Sequence, residues 1–375
     1  MSIWANIQAV VAAMLMGGVA TGQLAAGEPM VPTDHPAVKM PANSWLEVPN
    51  TKMQTVAPSQ NKFPKVWGVC GPASVISAWG GGALDTKRSR LVLWGGGHAD
   101  YAGNEVYVFD INKLAWERLT DPFSTPVPDQ EINADGTPNS RHTYGTLAYI
   151  AHADRFFGTG GSLYGVGFAK CDLTWTFDFD TKKWENRNPS GKNMGINSTC
   201  AYDPATKKVW FCFPDAGCWA HLASYDYDAK KWTEQSTGGA DLGYGGCAVD
   251  TKRGLLVVMG NAKMKAFNLR ADKLPAAVWQ TTGGEEFLKQ GAVGFEYDQV
   301  ADRLVGWNGG KVYVLDPEKK EWTVNDPPGA PKPSGNGTYG RWRYVPSVNA
   351  FVLVTGIDAN VHFYKLTAGL AKPAN

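Results

Sequence analysis

Three of the six histidines stand in stretches equipped for acid–base chemistry. His98 opens His-Ala-Asp-Tyr101, His142 lies in Arg141-His-Thr-Tyr144, and His221 follows Cys218-Trp219. Tyr164 sits in a long insertion between Gly161 and Leu173, and Arg341 follows Tyr339-Gly340. A neutral imidazole or a tyrosinate removes the acidic proton beside a carboxylate. Arginine neutralises that carboxylate, and tyrosine protonates a leaving oxygen. Together these are the requirements for β-elimination at a uronic acid. On this reading His98 or His142 is the base, Tyr164 the acid and Arg141 the neutraliser, with Tyr144 beside them. Tyr101, Asn104, His221, Tyr244, Lys289, Tyr339 and Arg341 contact the substrate. Each has a structural alternative: His98 and Asp100 would equally serve to bond a glycine-rich turn, and Arg141 with His142 would tie two repeats together. The nearly aligned Tyr144, Tyr244 and Tyr339 suit packing as well as chemistry.

These residues share a site only if the chain folds so as to bring their loops to one face. Tryptophan recurs in one local setting at Trp45, Trp116, Trp184, Trp232, Trp279 and Trp322, with a spacing typical of repeat architectures. Around each of the last five, a unit of four short apolar or aromatic runs can be read, separated by turns rich in Asp, Lys and Gly. In the first unit the runs are Ser74 to Trp79, Arg90 to Gly97, Glu105 to Asp110 and Ala115 to Leu119. In the second they are Gly145 to Ile150, Arg155 to Gly161, Leu173 to Asp178 and Lys183 to Arg187. Such runs are strand signals, and four per repeat predict a propeller blade. Asp85-Thr-Lys-Arg and Asp250-Thr-Lys-Arg, with Asp203 and Asp298, mark the hairpins between first and second strands.

The last copy, Gly340 to Leu366, has three strands, and its missing fourth is found in Ser44 to Pro49. Pairing that N-terminal strand into the last blade closes the ring and removes open sheet edges. The expectation is an all-β, six-bladed propeller over residues 44–366, with a linker at 27–43 and a tail at 367–375. In such blades the loop leading into the first strand and the loop joining the second to the third open on one face, around the central channel. That rule gathers His98, His142, His221, Arg141, Arg341, Tyr101, Tyr144, Tyr164, Tyr244 and Tyr339 on one rim. It leaves His35 in the linker, His152 in an opposite-face turn and His362 in a strand.

The Gly-Gly pairs (Gly96-Gly97, Gly160-Gly161, Gly309-Gly310), the later aromatics (Tyr107, Tyr225, Tyr313) and the tryptophans stand in the order of the kelch repeat, which the chain resembles from Ser44 to Leu366. That resemblance implies fold rather than function. In residue inventory the chain is also similar to the propeller-type polysaccharide lyases, including those that cut ulvan, which implies an acidic polysaccharide as partner. Those ulvan enzymes have seven blades. A galactose-oxidase-like copper enzyme is the rival and would recruit His98, His142, Tyr144 and Tyr339, with Cys70 or Cys200 for a tyrosine cross-link. A six-bladed sialate epimerase and a non-catalytic glycan- or protein-binding propeller are further readings. Paired carboxylates for glycoside hydrolysis are not evident, Asp100 and Asp215 being the obvious rim acids.

A formal net charge of +1 gives no reason to expect nucleic acid or an anionic membrane as partner. The apolar stretch Ile7 to Ala20, followed by small residues, predicts a secretory signal ending at Ala20 or Ala26 and a secreted or periplasmic monomer. No Lys or Arg precedes it, and an uncleaved anchor is the alternative. Six cysteines in an exported chain make disulfides plausible: Cys212 with Cys218, Cys200 with Cys247, and Cys70 with Cys171. No cofactor is called for, with a structural or catalytic metal left open.

Overall fold

The computed structural model describes residues 34–165, 171–189, 194–213, 222–235, 245–274 and 276–369. Six four-stranded antiparallel sheets form a six-bladed β-propeller. Blade 1 consists of Ala83–Asp85, Arg90–Leu93, Tyr107–Asp110 and Ala115–Arg118; blade 2 of Leu147–Ile150, Arg155–Thr159, Leu173–Asp178 and Lys183–Pro189. Blade 3 runs from Thr199–Asp203 to Lys231–Gln235, blade 4 from Gly246–Asp250 to Ala276–Val278, and blade 5 from Gly294–Asp298 to Glu321–Asn325. In blade 6, Trp342–Val345, Ala350–Leu353 and Val361–Lys365 are completed by Ser44–Val48, with Trp45 opposite Tyr364 and Val48 opposite Val361. The two ends of the described chain are thereby stapled into one sheet. First strands of successive blades touch around the whole ring, blade 6 to blade 1 included.

The recurrent tryptophans lie on outer strands, and five reach back toward the preceding blade. Trp184 packs on Trp94 of blade 1 at 4.8 Å between ring centroids. Trp45 packs on Trp307 of blade 5 at 5.9 Å. The indole N–H of Trp232 donates to Thr174 in blade 2, that of Trp322 to Thr281 after blade 4, and that of Trp116 to the carbonyl of Thr51 after the closing strand. Trp279 departs from the pattern and sits in the core shared by blades 4 and 5.

The repeated Asp-Thr-Lys-Arg turns form two equivalent clamps between blades. Arg88 bridges Asp85 of its own blade to Asp154 of blade 2 at 2.7 and 2.8 Å, and the Tyr149 hydroxyl also donates to Asp154. Arg253 bridges Asp250 to Asp302 of blade 5 at 2.6 and 2.8 Å, with Tyr297 donating to Asp302. Inside the ring, Arg343 of blade 6 donates to Glu296 of blade 5 at 2.8 Å, to the Gly82 carbonyl at 2.9 Å and to the Leu147 carbonyl at 3.4 Å. One guanidinium thus joins four blades and forms part of the floor of a cavity of about 240 Å³ that opens among the hairpin turns of the opposite face.

Two expectations need correction, the first strand of blade 1 and the disulfides. Ser74 to Trp79 is not the first strand of blade 1: Gly71–Ala73 is a 3₁₀ turn, Ser74–Ser77 a helical turn, and the strand begins at Ala83. The β-branched Val75 and Ile76 read as strand, but Pro72 opens a helical turn. Gly80 then lets the chain double back so closely that a Cβ there would lie 2.0 Å from the Val75 carbonyl oxygen. Within the linker read at 27–43, residues 35–40 pack against the propeller. The His35 imidazole bonds the Ile111 carbonyl at 2.7 Å, Ala37 is fully buried, and Lys365 donates to the carbonyls of Ala37 and Val38. Cys70, Cys171, Cys200, Cys212 and Cys247 are free thiols, so neither Cys200 with Cys247 nor Cys70 with Cys171 is bridged; Cys218 lies outside the described residues. Among the described residues no helix is long and apolar enough to cross a membrane.

Candidate active site on the loop-bearing face

Arg141–His142 forms a two-residue strand paired with Ser162–Leu163, a small ribbon outside the blades that the sequence did not announce. The loop from Gly96 to Asn104 lies against it. Gly97 is indispensable here: its φ is +68°, and a Cβ would come within 2.2 Å of the His142 amide nitrogen. That close approach delivers Asp100 to the edge of the His142 ring, where its Oδ2 lies 2.8 Å from Nε2.

Burial lowers the His142 pKa from its ordinary value. The ring is therefore neutral near pH 7, and the nitrogen facing the carboxylate carries its proton and donates. The buried imidazole contacts Trp79, at 5.0 Å between centroids, and His98, at 5.7 Å and nearly parallel. Tyr144 meets it edge-on at 6.2 Å, and Tyr339 meets Tyr144 at 5.9 Å. The His142 side chain is 5% exposed and that of Asp100 26%, so the carboxylate faces solvent and the imidazole stands behind it. Asp100 Oδ1 also receives the Cys70 thiol at 3.8 Å.

The backbone under this group is strained. Trp79, His98, Tyr144 and Tyr339 have φ of +48°, +45°, +47° and +48°. Bulky side chains seldom adopt that region, and such residues gather at functional sites. The chain leads into the first strands of blades 3 and 5 with the same turn of backbone but uses Asn197 and Ala292. The described aromatic residues held at positive φ, together with His98, all belong to one series of ring contacts.

Tyr164 is brought beside His98 by the backbone. The amide of His98 donates to the Leu163 carbonyl at 3.1 Å, and the Gly165 amide donates to the His98 carbonyl at 3.0 Å. Tyr164 is itself anchored through Ser140 and Asp129, both at 2.8 Å, and is half-buried.

Several expected substrate contacts are spent inside the protein. Arg141 is fully buried; it donates to Glu131 at 2.9 Å and to the Gly160 carbonyl at 3.2 Å, so its charge is met before any substrate arrives. Arg341 is also fully buried and donates to the carbonyls of Gly80, Gly337 and Val354. Burial with only carbonyls to bond pulls its pKa down to about 10. The buried Tyr101 donates to Glu105 at 2.7 Å, as does Tyr107 at 2.6 Å. Asn104 gives both its side-chain donor and its acceptor to the 123–138 segment. Tyr101 and Asn104 thereby hold the loop that carries His98 and Asp100, while Arg341 ties the turn at Gly80 to blade 6. Lys289 is exposed after the short helix Glu285–Leu288. His221 and Tyr244 lie outside the described residues.

Two participants escaped the sequence reading. From sequence, Trp79 reads as the end of a strand, and Asp100 as a rim acid rather than as the partner of His142. The copper set His98, His142, Tyr144 and Tyr339 does lie in one row of ring contacts. Among the described residues no three His, Cys, Asp or Glu side chains form a group that could hold a metal ion. No protein-family model and no curated protein matches the chain.

Proposed function

We propose that this rim is a general acid–base centre of an exported, kelch-like propeller acting on an acidic, uronate-containing polysaccharide by β-elimination. The observation that carries the reading is the stack of His98 on His142, whose ring is itself held by Asp100, built on strained backbone. Enzymes spend folding energy on such arrangements where geometry must be fixed in advance. His98 is half-buried whereas His142 is enclosed, which favours His98 as the base that takes the C5 proton of the uronate. Tyr164, laced to His98 through its neighbours, is the acid that protonates the departing glycosidic oxygen. Asp100 and His142 act behind them as positioning residues. Export rests on the apolar segment Ile7 to Ala20, and the kelch likeness on the order of glycine pairs, aromatics and tryptophans.

The burial of Arg141 and Arg341 favours a second reading, in which the same face binds a glycan without cleaving it, because neither guanidinium is left to meet the substrate carboxylate. Incubation with ulvan, alginate, pectate and glycosaminoglycans, followed by the ultraviolet absorbance of unsaturated uronate, separates the two. A rise that depends on His98 and Tyr164 is expected from the lyase; retention of polymer without a rise belongs to the binding protein.

A further inference from the structure

A groove of about 480 Å³ adjoins the centre through Trp79, whose ring also contacts His142. Trp79 and Tyr339 line it, and both belong to the row of rings just described. Its other wall is the loop Pro333 to Gly337, which is bound to the helical turn ahead of blade 1 where Asn336 donates to the Ser77 carbonyl at 2.7 Å. The size lies within the roughly 300–1,000 Å³ range of small-ligand sites. None of its lining residues is charged.

We infer that this groove is a subsite for an uncharged sugar ring, adjacent along the polymer to the residue acted on at His98. The inference rests on the reading of this face as a glycan site. The half-exposed Trp79 offers an apolar indole surface on which the C–H face of a pyranose packs. Asn308 and Asn336 each commit one amide N–H to a carbonyl of the protein, Gly291 and Ser77, and the second N–H of each is the donor offered to a sugar hydroxyl. A uronate or sulfate ester seated here would lose water without gaining a cation, a cost that an uncharged ring does not bear. The substrate is therefore a mixed polymer in which the uronate has a neutral neighbour, rather than a homopolymer of uronate such as alginate or pectate.

The test uses the full chain carrying His98→Ala, so that nothing is turned over, with binding measured calorimetrically. The probes are neutral oligosaccharides from xylan, mannan, galactan and rhamnan, against oligogalacturonate and oligoalginate. At least one neutral probe should bind at least tenfold more tightly than either oligouronate. Trp79→Ala should weaken that binding at least tenfold. Gly335→Arg should do the same by filling the groove, and it carries little folding risk because a Cβ at Gly335 meets nothing within 4 Å. Oligouronates binding as tightly as the best neutral probe would overturn the inference, as would binding of no neutral probe or indifference to both substitutions. If no polymer is ever cleaved by the unsubstituted protein but neutral binding needs Trp79, the elimination reading fails and the groove stands. If pectate or alginate is cleaved and both substitutions are without effect on it, the groove fails and elimination stands.

Discussion

Asp100 and His142 are joined by a hydrogen bond of 2.8 Å between the carboxylate and Nε2, across a loop boundary that only a glycine at position 97 permits. The bond fixes the tautomer of His142 and so the plane on which His98 stacks. Asp100→Asn keeps an acceptor for the Nε2 proton but removes the charge. Turnover of the glycan should fall by about 10²–10⁴-fold, the usual scale of acid–base assistance. Unfolding free energy should change by no more than about 1 kcal/mol. Parallel kinetics and melting of this variant check the prediction; unchanged turnover would make the pair a packing device.

His35 reports on acid sensitivity. Its Nδ1 accepts from the Ala37 amide at 3.2 Å while Nε2 bonds the Ile111 carbonyl, a pattern that only the neutral ring satisfies. Burial holds its pKa below the ordinary imidazole value, and the same direction applies to His142 and His362. A depressed pKa in the folded state gives stability that is present above about pH 6.5 and lost as pH falls below it. Unfolding midpoints should therefore drop between pH 7 and 5.5, with the Ala37 amide exchanging faster. His35→Phe should flatten part of the slope, and a slope unaltered by that change would contradict the account.

The two Asp-Thr-Lys-Arg clamps should behave as independent copies. Asp154 and Asp302 each receive an arginine, a lysine and a tyrosine, and the arginine hydrogen bonds hold both carboxyls below the usual carboxylate range. Their contribution is present above about pH 4 and is lost as pH falls through the lowered folded values. Asp154→Asn and Asp302→Asn should each cost roughly 1.5–3 kcal/mol. Having no partner in common, they should add to within about 0.5 kcal/mol in the double variant, measured by urea unfolding.

Cysteine reactivity offers a separate check. Cys70 is exposed beside Asp100, whereas Cys171, Cys200, Cys212 and Cys247 are buried. In a Cys218→Ser background, one thiol should react with a disulfide reagent in the native protein and four more only after unfolding. Fewer than five in the denatured, unreduced protein would reveal a disulfide and contradict the free thiols described.

Much of the ring was legible because propeller packing is periodic. Trp184 on Trp94 and Trp45 on Trp307 are one contact repeated, and a repeated contact leaves a repeated residue. The N-terminal strand was legible by subtraction, since a three-stranded last copy needs a fourth. The rim is less periodic, and there side-chain direction decides. Arg141 points inward to Glu131, a partner ten residues earlier in an irregular segment that no repeat predicts. Arg341 is held by carbonyls alone, which carry no residue signature. Trp79 was hidden because Val75 and Ile76 favour a strand locally, while Gly80, Gly81 and Gly82 place the turn that defeats it. The partnership of Asp100 with His142 depends on the approach at Gly97, which sequence spacing alone does not encode.

The most direct test of the central claim is the rate of unsaturated uronate formation by the purified protein across native and desulfated ulvan and the other uronate polymers, measured for the unsubstituted chain, His98→Ala and Tyr164→Phe. The account predicts a steady rise in ultraviolet absorbance that either substitution lowers by at least 100-fold while the melting temperature holds. Product formation that survives both substitutions, or none from a folded protein on any uronate polymer, would contradict it.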